Sequence, residues 1–396
     1  MNVFMTSISR AGEYACQLAH GLGKKDKVTI ALNMQNAVMM QNDFPGFFAD
    51  NRFKIVPVSR ARVWNPKKYI TALTLLREII KAKSDVIHDQ NCHWLENIIV
   101  LSLSSLMGIP IVITIHDALP HPGDEYPAHL IGIISQNLCL ADQVIVHGEH
   151  IKETLLEHFN LDPRLINVIP HGNYDIYLHS KKEHHVIKTD NEVRVLLIGR
   201  MVKYKGLEIL EKASPEIIRA FPNAKIVFAG AGPELNRLKE TLEKNSCFEI
   251  INKRLSSSEF ANETERASLL VLPYLEASQS GPLNLAFSFK KPVVATKVGA
   301  IPEVLEHGRE GLLIPPNDPG ALAEAVIQIL KSPELAKRMG ENGLKKAGGL
   351  LSWEENIADK TREVYDKALY LKKNRIRYHK KNHCDYCVLF RDKYKS

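Results

Sequence analysis

Two basic residues, Arg200 and Lys205, follow the apolar stretch RVLLIG in the segment GRMVKYKG. An apolar stretch that ends in glycine predicts a buried strand running into a loop. Guanidinium and ammonium groups on such a loop can neutralise a diphosphate, and binding residues are concentrated on loops of this kind. A solvated basic loop is the alternative. We favour a phosphate site at this strand end.

Two glycine-containing turns belong to the same predicted site. Gly230 and Gly232 close the stretch KIVFA in GAGPE, and Ser280 and Gly281 open a helical stretch in QSGPLNLAF. Glycine lets a backbone approach a phosphate closely, and N–H groups at a helix start favour anions. The alternatives are a plain turn at GAGPE and a simple N-cap by Ser280. We predict a nucleotide site that includes both turns.

In the first half of the chain, polar residues follow the apolar stretch IVITI. His116 and Asp117 come directly after it. An imidazole at this position can hold a hydroxyl group or stabilise developing charge, whereas a structural histidine is the alternative. A pair of glycoside-hydrolase carboxylates also stays open, and the spacings match no metal motif. Further ionisable residues in the same and neighbouring strand-end loops favour a site, namely His88, Asp89, His121, Asp124 and Glu125.

Strand-like and helical stretches alternate along nearly the whole chain. In its second half we predict strands near 195–198, 225–229, 248–251, 269–273, 293–295 and 312–314, with helices between them. This alternation predicts an α/β fold with parallel sheets covered on both faces. Such sheets bind ligands beyond the carboxyl ends of their strands, so two of them face to face would form a cleft.

The size and composition of the chain predict two soluble domains. Its 396 residues exceed one ordinary core, and 45% hydrophobic and 24% charged residues are ordinary for a globular protein. No apolar run approaches the ~20 residues that span a bilayer. The start, MNVFMTSISRAGEY, lacks the basic and apolar regions of a signal peptide. We therefore expect a cytoplasmic protein.

The net charge of +7 has a local origin. Residues 371–396 contain nine Lys/Arg and two Asp/Glu, so the rest of the chain is formally neutral. A solvated tail is one interpretation, and peripheral contact with anionic lipid at the inner face of a membrane is another. Nucleic-acid binding ranks last, because no recognition motif accompanies the tail. We expect no nucleic-acid partner.

Six cysteines are scattered along the chain, and four of them read as free thiols in apolar settings. The other two, Cys384 and Cys387, form a CxxC preceded by His379 and His383. These four side chains would have to converge to bind zinc. A single CxxC is weak support for that, so we predict no bound metal and no other cofactor.

The order of these motifs, strongest between residues 195 and 319 and extending over nearly all of 1–365, resembles the GT-B glycosyltransferases of the family-4-like group (glycosyl transferases group 1). The resemblance implies two Rossmann-like doubly wound domains facing a cleft. It implies a nucleotide-diphosphate sugar donor, a glycan or lipid-linked acceptor in polysaccharide or glycoconjugate biosynthesis, and transfer with retention of anomeric configuration. A nucleotide-sugar epimerase of the same fold and a non-catalytic sugar- or nucleotide-binding relative stay open as alternatives.

The resemblance also implies site residues. Typical members carry two glutamates about two helical turns apart in this region. The first falls here on Ala277, beside Glu276, and the second on Leu285, or on Asn284 with a one-residue slip. The pair is therefore not intact, and the chain looks like a subgroup with an SQSG version of this loop. Glu276 or Gln279 then becomes the candidate for sugar hydroxyls, and Asn284 the candidate for the ribose.

Other positions of the resemblance are assigned more simply. Arg200, Lys205 and His116 match the catalytic positions, and Arg254 with Leu255 matches the turn that contacts the nucleotide base. Gly12 and Asp117 lie on the acceptor side. Gly299 and Glu303 match another family element, in which Gly299 permits a tight turn and Glu303 either holds the loop or contacts the ligand.

The predicted organisation has five parts. They are a first domain over 1–175, a linker over 176–193, a second domain over 194–352, a helix over 353–370 and the basic tail 371–396. The resemblance implies that the helix over 353–370 crosses back to the first domain.

Overall fold

The computed structural model describes residues 1–8, 12–59, 67–90, 95–119, 129–180 and 192–376. Within them the chain forms two parallel sheets, each covered by helices. The first sheet has seven strands in the order β3-β2-β1-β4-β5-β6-β7. Its strands are β1 Asn2–Ser7, β2 Lys27–Asn33, β3 Phe53–Val58, β4 Val86–Asp89, β5 Ile111–Ile115, β6 Gln143–Val146 and β7 Ile166–Val168.

The helices of this first unit alternate with its strands, as the sequence pattern predicts. Strands β4, β5 and β6 are buried over their whole length, because helices cover both faces of the sheet. The helices are α1 Gly12–Leu22, α2 Met34–Asp43, α3 Lys67–Lys81, α4 Leu95–Leu106, α5 His129–Leu140 and α6 Glu149–His158.

The second sheet has six strands in the order β10-β9-β8-β11-β12-β13. Its strands are β8 Val193–Ile198, β9 Ala224–Ala229, β10 Phe248–Ile251, β11 Leu269–Leu272, β12 Val293–Thr296 and β13 Gly311–Ile314. Its helices are α7 Leu207–Ala220, α8 Pro233–Leu242, α9 Ser257–Arg266, α10 Gly281–Ser288, α11 Ile301–Val304, α12 Pro319–Lys331 and α13 Pro333–Gly348. The α/β fold with two doubly wound domains is thus confirmed.

The last helix, α14 Ala358–Lys373, packs against the first sheet although it follows the second. A single π-helical turn, Trp353–Ile357, precedes it. The Trp353 ring lies so close to Gly172 that a Cβ there would be 2.3 Å from the ring, and the indole Nε1 donates to the Asn173 carbonyl at 2.9 Å. The crossing chain is therefore anchored to the segment that follows β7.

Several predicted features lie outside the described residues. They include most of the linker (181–191), the end of the loop after β5 (120–128), and the tail from residue 377 with its CxxC. Within the described part of the chain, no helix combines the length and the apolar character needed to cross a membrane.

Candidate active site between the two sheets

The carboxyl ends of the two sheets face each other, and hydrogen bonds bridge the space between them. The Ser257 hydroxyl, at the start of α9, donates to the Asp43 carboxylate at the end of α2 at 2.7 Å. The Ser278 hydroxyl, after β11, donates to the Asp117 carboxylate after β5. Asp117, predicted on the acceptor side, is therefore in direct contact with the second domain. The loops at the carboxyl ends of the two sheets are thus in contact at two places.

A third bridge joins the turn after β12 to the start of α6. The Glu303 carboxylate accepts hydrogen bonds from the backbone N–H groups of Glu149 and His150 at 2.8 and 3.0 Å. A carboxylate at a helix N-terminus is stabilised by the unpaired N–H groups and the helix dipole. A Cβ on Gly148 would lie 2.8 Å from the Cβ of Ala300, so the backbones approach closely here. Glu303 thus joins the domains.

The predicted cations lie on the loop after β8. Lys205 ends a short 3-10 turn and is only 8% exposed, with its Nζ 3.7 Å from the centroid of the Tyr274 ring. An ammonium over an aromatic face is attracted by the ring quadrupole. Burial lowers the pKa of Lys205, and the neighbouring Arg200 charge lowers it further, whereas Asp117 raises it. Arg200, Lys205 and Asp117 therefore interact electrostatically across the cleft.

Glycines allow the loops of the second domain to pack tightly. A Cβ on Gly230 would lie 1.8 Å from the Gly199 carbonyl oxygen, and one on Gly232 would lie 2.1 Å from the Met201 carbonyl oxygen. The absence of a side chain at both glycines therefore lets the turn after β9 pack directly against the loop that carries Arg200. Their contact with a nucleotide stays a prediction.

The start of α10 lies beside the buried lysine. The Ser280 hydroxyl caps this helix by accepting from the Leu283 N–H at 3.3 Å, and it lies 3.5 Å from the Tyr274 hydroxyl. Gly281 packs against the Tyr174 ring, because a Cβ there would lie 3.2 Å from it. Tyr274 thus contacts both Lys205 and Ser280, and brings the helix start and the cation together.

Two further positions of α10, Asn284 and Leu285, are buried. The Asn284 amide donates to the carbonyls of His171 and Gly172 at 3.1 and 3.0 Å, which ties α10 to the segment after β7. Leu285, at the place of the second family glutamate, is 1% exposed. The amide nitrogen of Asn284 is therefore engaged, and only its Oδ1, which has no hydrogen-bond partner among the described residues, is left for the predicted ribose contact.

The two candidates for sugar hydroxyls differ in their surroundings. Glu276 is exposed on the loop after β11. Gln279 is half-buried, and its Oε1 is fully buried without a hydrogen-bond partner within the described part of the chain. A buried amide oxygen without a donor is costly and is often satisfied by a ligand or water. This geometry favours Gln279 over Glu276.

Arg254 and Gly12 lie on opposite sides of the cleft. Arg254 is exposed after β10, and Leu255 packs against the second-domain core. Gly12 begins α1, and among the described residues a Cβ on it would meet Met40 Cγ, at an ordinary 3.9 Å. The residue after it, Glu13, was not singled out from the sequence. Desolvation raises the pKa of its carboxyl, whereas Arg254 lowers it, so these two charges interact across the cleft.

His116 lies in a group of histidines around one buried tyrosine. The Tyr14 ring is 4.7 Å from the His116 ring, 5.1 Å from His147 and 5.0 Å from His171. Burial lowers the pKa of His171 to about 4 and that of His147 well below its usual value. The sequence analysis missed Tyr14 and His147. His147 carried a usable signal, because it follows the apolar strand QVIV as His116 follows IVITI.

His88 and Asp89, counted earlier among the strand-end residues, are buried in the sheet. His88 lies between the Tyr365 hydroxyl at 2.6 Å and the Thr114 hydroxyl at 2.7 Å, and burial lowers its pKa to about 3. The Asp89 carboxylate accepts from the Thr6 hydroxyl at 2.5 Å. Both residues stabilise the core beneath the cleft. Among the described residues, no group of three His, Cys, Asp or Glu is arranged to hold a metal ion.

The sequence of this chain is similar to those of known glycosyltransferases. A family model described as Glycosyltransferase Family 4 matches residues 11–173, and one described as Glycosyl transferases group 1 matches residues 192–332. An uncharacterized glycosyltransferase of Methanocaldococcus jannaschii is 27% identical over 85% of this chain and 94% of its own length. A phosphatidylinositol N-acetylglucosaminyltransferase component of Arabidopsis thaliana is 28% identical over 75% of this chain and 65% of its own length.

A solved structure supports the fold independently. The Anabaena protein HepE in complex with UDP superposes with a TM-score of 0.65 at 15% identity, covering 92% of this chain and 99% of that one. The two family models together cover most of both domains. This chain is therefore a glycosyltransferase with the GT-B fold, and it belongs to the glycosyl transferases of group 1.

Proposed function

We propose that this chain transfers a sugar from a nucleotide-diphosphate sugar to a glycan or lipid-linked acceptor, with retention of anomeric configuration. The observation that carries the proposal is the juxtaposition of Arg200 and buried Lys205 with His116 and Asp117 across one cleft. The cations suit a diphosphate, and the polar strand ends opposite suit sugar hydroxyls. HepE, of the same fold, was solved with UDP, which makes UDP-sugars the first donors to test.

Glycosyl transfer from such a donor requires stabilisation of the leaving phosphate. The bond between the anomeric carbon and the β-phosphate oxygen breaks, and a bond from that carbon to an acceptor hydroxyl oxygen forms. The acceptor proton passes to the departing phosphate oxygen on the same face of the sugar, which retains the configuration. Arg200 and Lys205 stabilise the negative charge that grows on the phosphate. His116 holds a sugar hydroxyl from the other side of the cleft.

The acceptor is proposed to bind on the first-domain side of the cleft. The acceptor side of the cleft is formed by Gly12, Glu13 and Asp117, which follow β1 and β5. The relative from Arabidopsis thaliana is named for a phosphatidylinositol substrate, which supports a lipid-linked acceptor. Polysaccharide or glycoconjugate synthesis is the corresponding process.

The decisive experiment measures donor binding by calorimetry with UDP-, GDP-, ADP- and dTDP-sugars, followed by product analysis with the tightest binder. We expect one nucleotide to be preferred, and the double variant Arg200→Ala/Lys205→Ala to lose donor binding. Lys203→Ala, an exposed lysine of the same turn, is the matched control and should bind normally. A folded double variant with unchanged affinity would remove the phosphate assignment.

Product analysis also separates transfer from epimerisation. A transferase releases nucleoside diphosphate and forms a glycoside whose anomeric configuration can be read by NMR. An epimerase instead yields a changed nucleotide sugar in the absence of any acceptor. Binding without either product would favour the non-catalytic relative, for which Leu285 at the family glutamate position is the supporting observation.

We also propose that the C-terminal end of α14 and the basic tail beyond it contact an anionic membrane surface. Lys373 and Arg375 are exposed at this end, beside Ile376, which is 41% exposed. Together with Gly108 these residues line an open cavity of about 500 Å³. The residues before Gly108, Leu106 and Met107, are 83% and 50% exposed. Exposed apolar side chains beside cations are typical of surfaces that bind lipid headgroups.

This contact can be tested by co-sedimentation with vesicles of phosphatidylglycerol and phosphatidylcholine. We expect binding to vesicles rich in phosphatidylglycerol, weakened by salt and by the double variant Lys373→Glu/Arg375→Glu. Lys337→Glu/Lys345→Glu, on α13 of the second domain, is the control of equal charge change. Equal binding of both double variants would contradict a role for this end of α14.

A further inference from the structure

His147 lies at the end of β6, one strand over from His116 in the sheet. It is 2% exposed and sits against the buried ring of Tyr14, which is also 2% exposed. The two imidazole centroids are 5.0 Å apart. His147 is therefore enclosed by protein on the side where His116 faces it, and its ring is held in one orientation by packing.

Hydrogen bonds determine which nitrogens carry protons in this pair. The Nδ1 atom of His147 lies 3.0 Å from the carbonyl oxygen of Ile169. A carbonyl only accepts, so this nitrogen carries the hydrogen. In a neutral ring the Nε2 atom is then an acceptor, and the burial that depresses the pKa of His147 keeps the ring neutral.

The acceptor nitrogen of His147 points at His116. Its Nε2 atom lies 3.2 Å from His116 Nδ1, so the hydrogen between them belongs to His116 Nδ1. A neutral His116 in this tautomer has Nε2 as its accepting nitrogen. The backbone carbonyl of Ile169, the residue after β7, thus determines through His147 which nitrogen of His116 accepts.

The loop that carries His147 is also tied to the second domain. The next residue, Gly148, packs against Ala300, and Glu303 accepts from the N–H groups of Glu149 and His150. These contacts join the two domains, so the position of His147 depends on the position of the second domain relative to the first. The segment 147–150 therefore connects the tautomer of His116 to the contacts between the two domains.

We propose that His147 is a positioning residue that holds His116 in the Nδ1–H tautomer, so that His116 Nε2 accepts a hydrogen bond from a sugar hydroxyl of the donor. The proposal deepens the proposed function and rests on it for the identity of the ligand. The tautomer itself does not depend on any activity. It follows from two hydrogen bonds and from the chemistry of a carbonyl oxygen.

The test compares two substitutions with different chemistry. His147→Phe keeps a ring against Tyr14 and removes the acceptor, whereas His147→Gln offers an amide oxygen that can still accept from His116 Nδ1. Nitrogen-15 NMR of the imidazole rings reports the tautomer of His116 directly. Steady-state kinetics with the donor found in the binding panel report kcat and KM separately.

In the wild-type protein we expect a protonated Nδ1 on His116. His147→Phe should shift His116 toward the Nε2–H tautomer and lower kcat roughly 10- to 100-fold, the range typical of residues that orient a functional histidine, with KM for the donor changed less. His147→Gln should retain the tautomer and most of kcat. His150→Gln, on the surface of the same segment, is the control for general disturbance.

Two results would overturn the proposal. One is an Nε2–H tautomer on His116 in the wild-type protein, which needs no variant and is informative even if His147→Phe does not fold. The other is an unchanged tautomer in folded His147→Phe. If instead the tautomer shifts as expected but the wild-type protein transfers no sugar from any donor, the proposed function fails while the positioning of His116 by His147 holds.

Discussion

The two sheet edges that face each other across the cleft carry side chains of different chemical types. The edge of the second domain carries the cations Arg200 and Lys205 on loops whose backbones touch through glycines. The edge of the first domain carries the imidazoles of His116, His147 and His171 around Tyr14, and burial lowers the pKa values of His147 and His171. A diphosphate needs fixed positive charge and close backbone approach, whereas a sugar hydroxyl needs an oriented donor or acceptor. The difference therefore favours the phosphates at one edge and the sugar at the other.

Burial acts on both edges in the same direction. It lowers the pKa of Lys205 and the pKa of His171, since it disfavours the charged form of each base. The ordinary pKa of lysine is 10.5 and that of histidine is 6.5, so desolvation of the same kind neutralises the histidines first. One physical effect thus yields two chemically distinct edges.

The largest effect should come from breaking the backbone contacts of the second-domain edge. Gly299 has a φ of 51°, and a Cβ on it would lie 1.4 Å from the Ala277 carbonyl oxygen. We expect Gly299→Ala to lower the free energy of unfolding by roughly 4 kcal/mol or more. Gly12→Ala, at the first-domain edge, should change the free energy of unfolding by no more than about 1 kcal/mol, because among the described residues its Cβ meets Met40 at an ordinary 3.9 Å and alanine is the better helix former. Urea unfolding followed by circular dichroism measures both, and equal costs would contradict the difference between the edges.

The next prediction separates phosphate from sugar. Lys205→Met removes the buried charge at nearly constant volume and should weaken binding of the nucleoside diphosphate roughly 10- to 100-fold, as for loss of one charged hydrogen bond. His116→Ala should leave binding of the nucleoside diphosphate unchanged but lower kcat for transfer. Calorimetry with and without the sugar on the nucleotide distinguishes the two, and a loss of nucleoside diphosphate affinity in His116→Ala would break the assignment.

The neutral histidines predict a dependence of stability on pH. The folded protein holds the pKa of His88 at about 3 and that of His171 at about 4, both below the unfolded value of 6.5. Between pH 6.5 and these values the unfolded chain binds more protons, so stability rises with pH and falls on acidification. We expect a loss of about 1.4 kcal/mol per pH unit for each histidine below pH 6. Urea unfolding from pH 7.5 to 5 should show a shallower slope for His88→Gln.

The smallest expected effect concerns a bridge between the edges. Ser257→Ala removes the hydrogen bond to Asp43 and should lower the free energy of unfolding by about 1 kcal/mol, the net value of one such bond. Because this bond also joins the domains, KM for the donor should rise a few-fold while kcat changes little. Ser332→Ala, which removes a cap within the second domain, is the control with similar stability loss and an unchanged KM.

Much of the fold was predictable because its determinants are local. The strands of the second domain lie where short apolar stretches end in turns, and the predicted range 225–229 falls within β9. Ser280 caps α10 as its residue type indicates. The chain after residue 318 forms two consecutive helices, α12 and α13, because Ser332 caps a new helix that begins with Pro333. Proline is tolerated at the first helical position, because a backbone N–H there would have no partner inside the helix.

The sequence could indicate which strand ends carry candidate site residues, but not which residues those side chains contact. Arg200, Lys205 and His116 were identified because they follow apolar strands, and parallel strands bring their carboxyl ends to one edge. The contact of Asn284 with a ribose stays a prediction, and the structure adds that its amide donates to the carbonyl of Gly172, 112 positions away in the sequence. Nothing near Asn284 in the chain indicates that partner.

The amino-acid sequence by itself therefore determined the alternation of strands and helices, the glycine turns and the chemical types at each strand end. These depend on interactions over a few residues, such as side-chain periodicity, turn conformation and capping. Only the tertiary structure decided which charges are buried, which carbonyl orients His147, and which nitrogen of His116 accepts. Burial and tautomer depend on partners brought together from distant parts of the chain, so they exist only once the two sheets have packed.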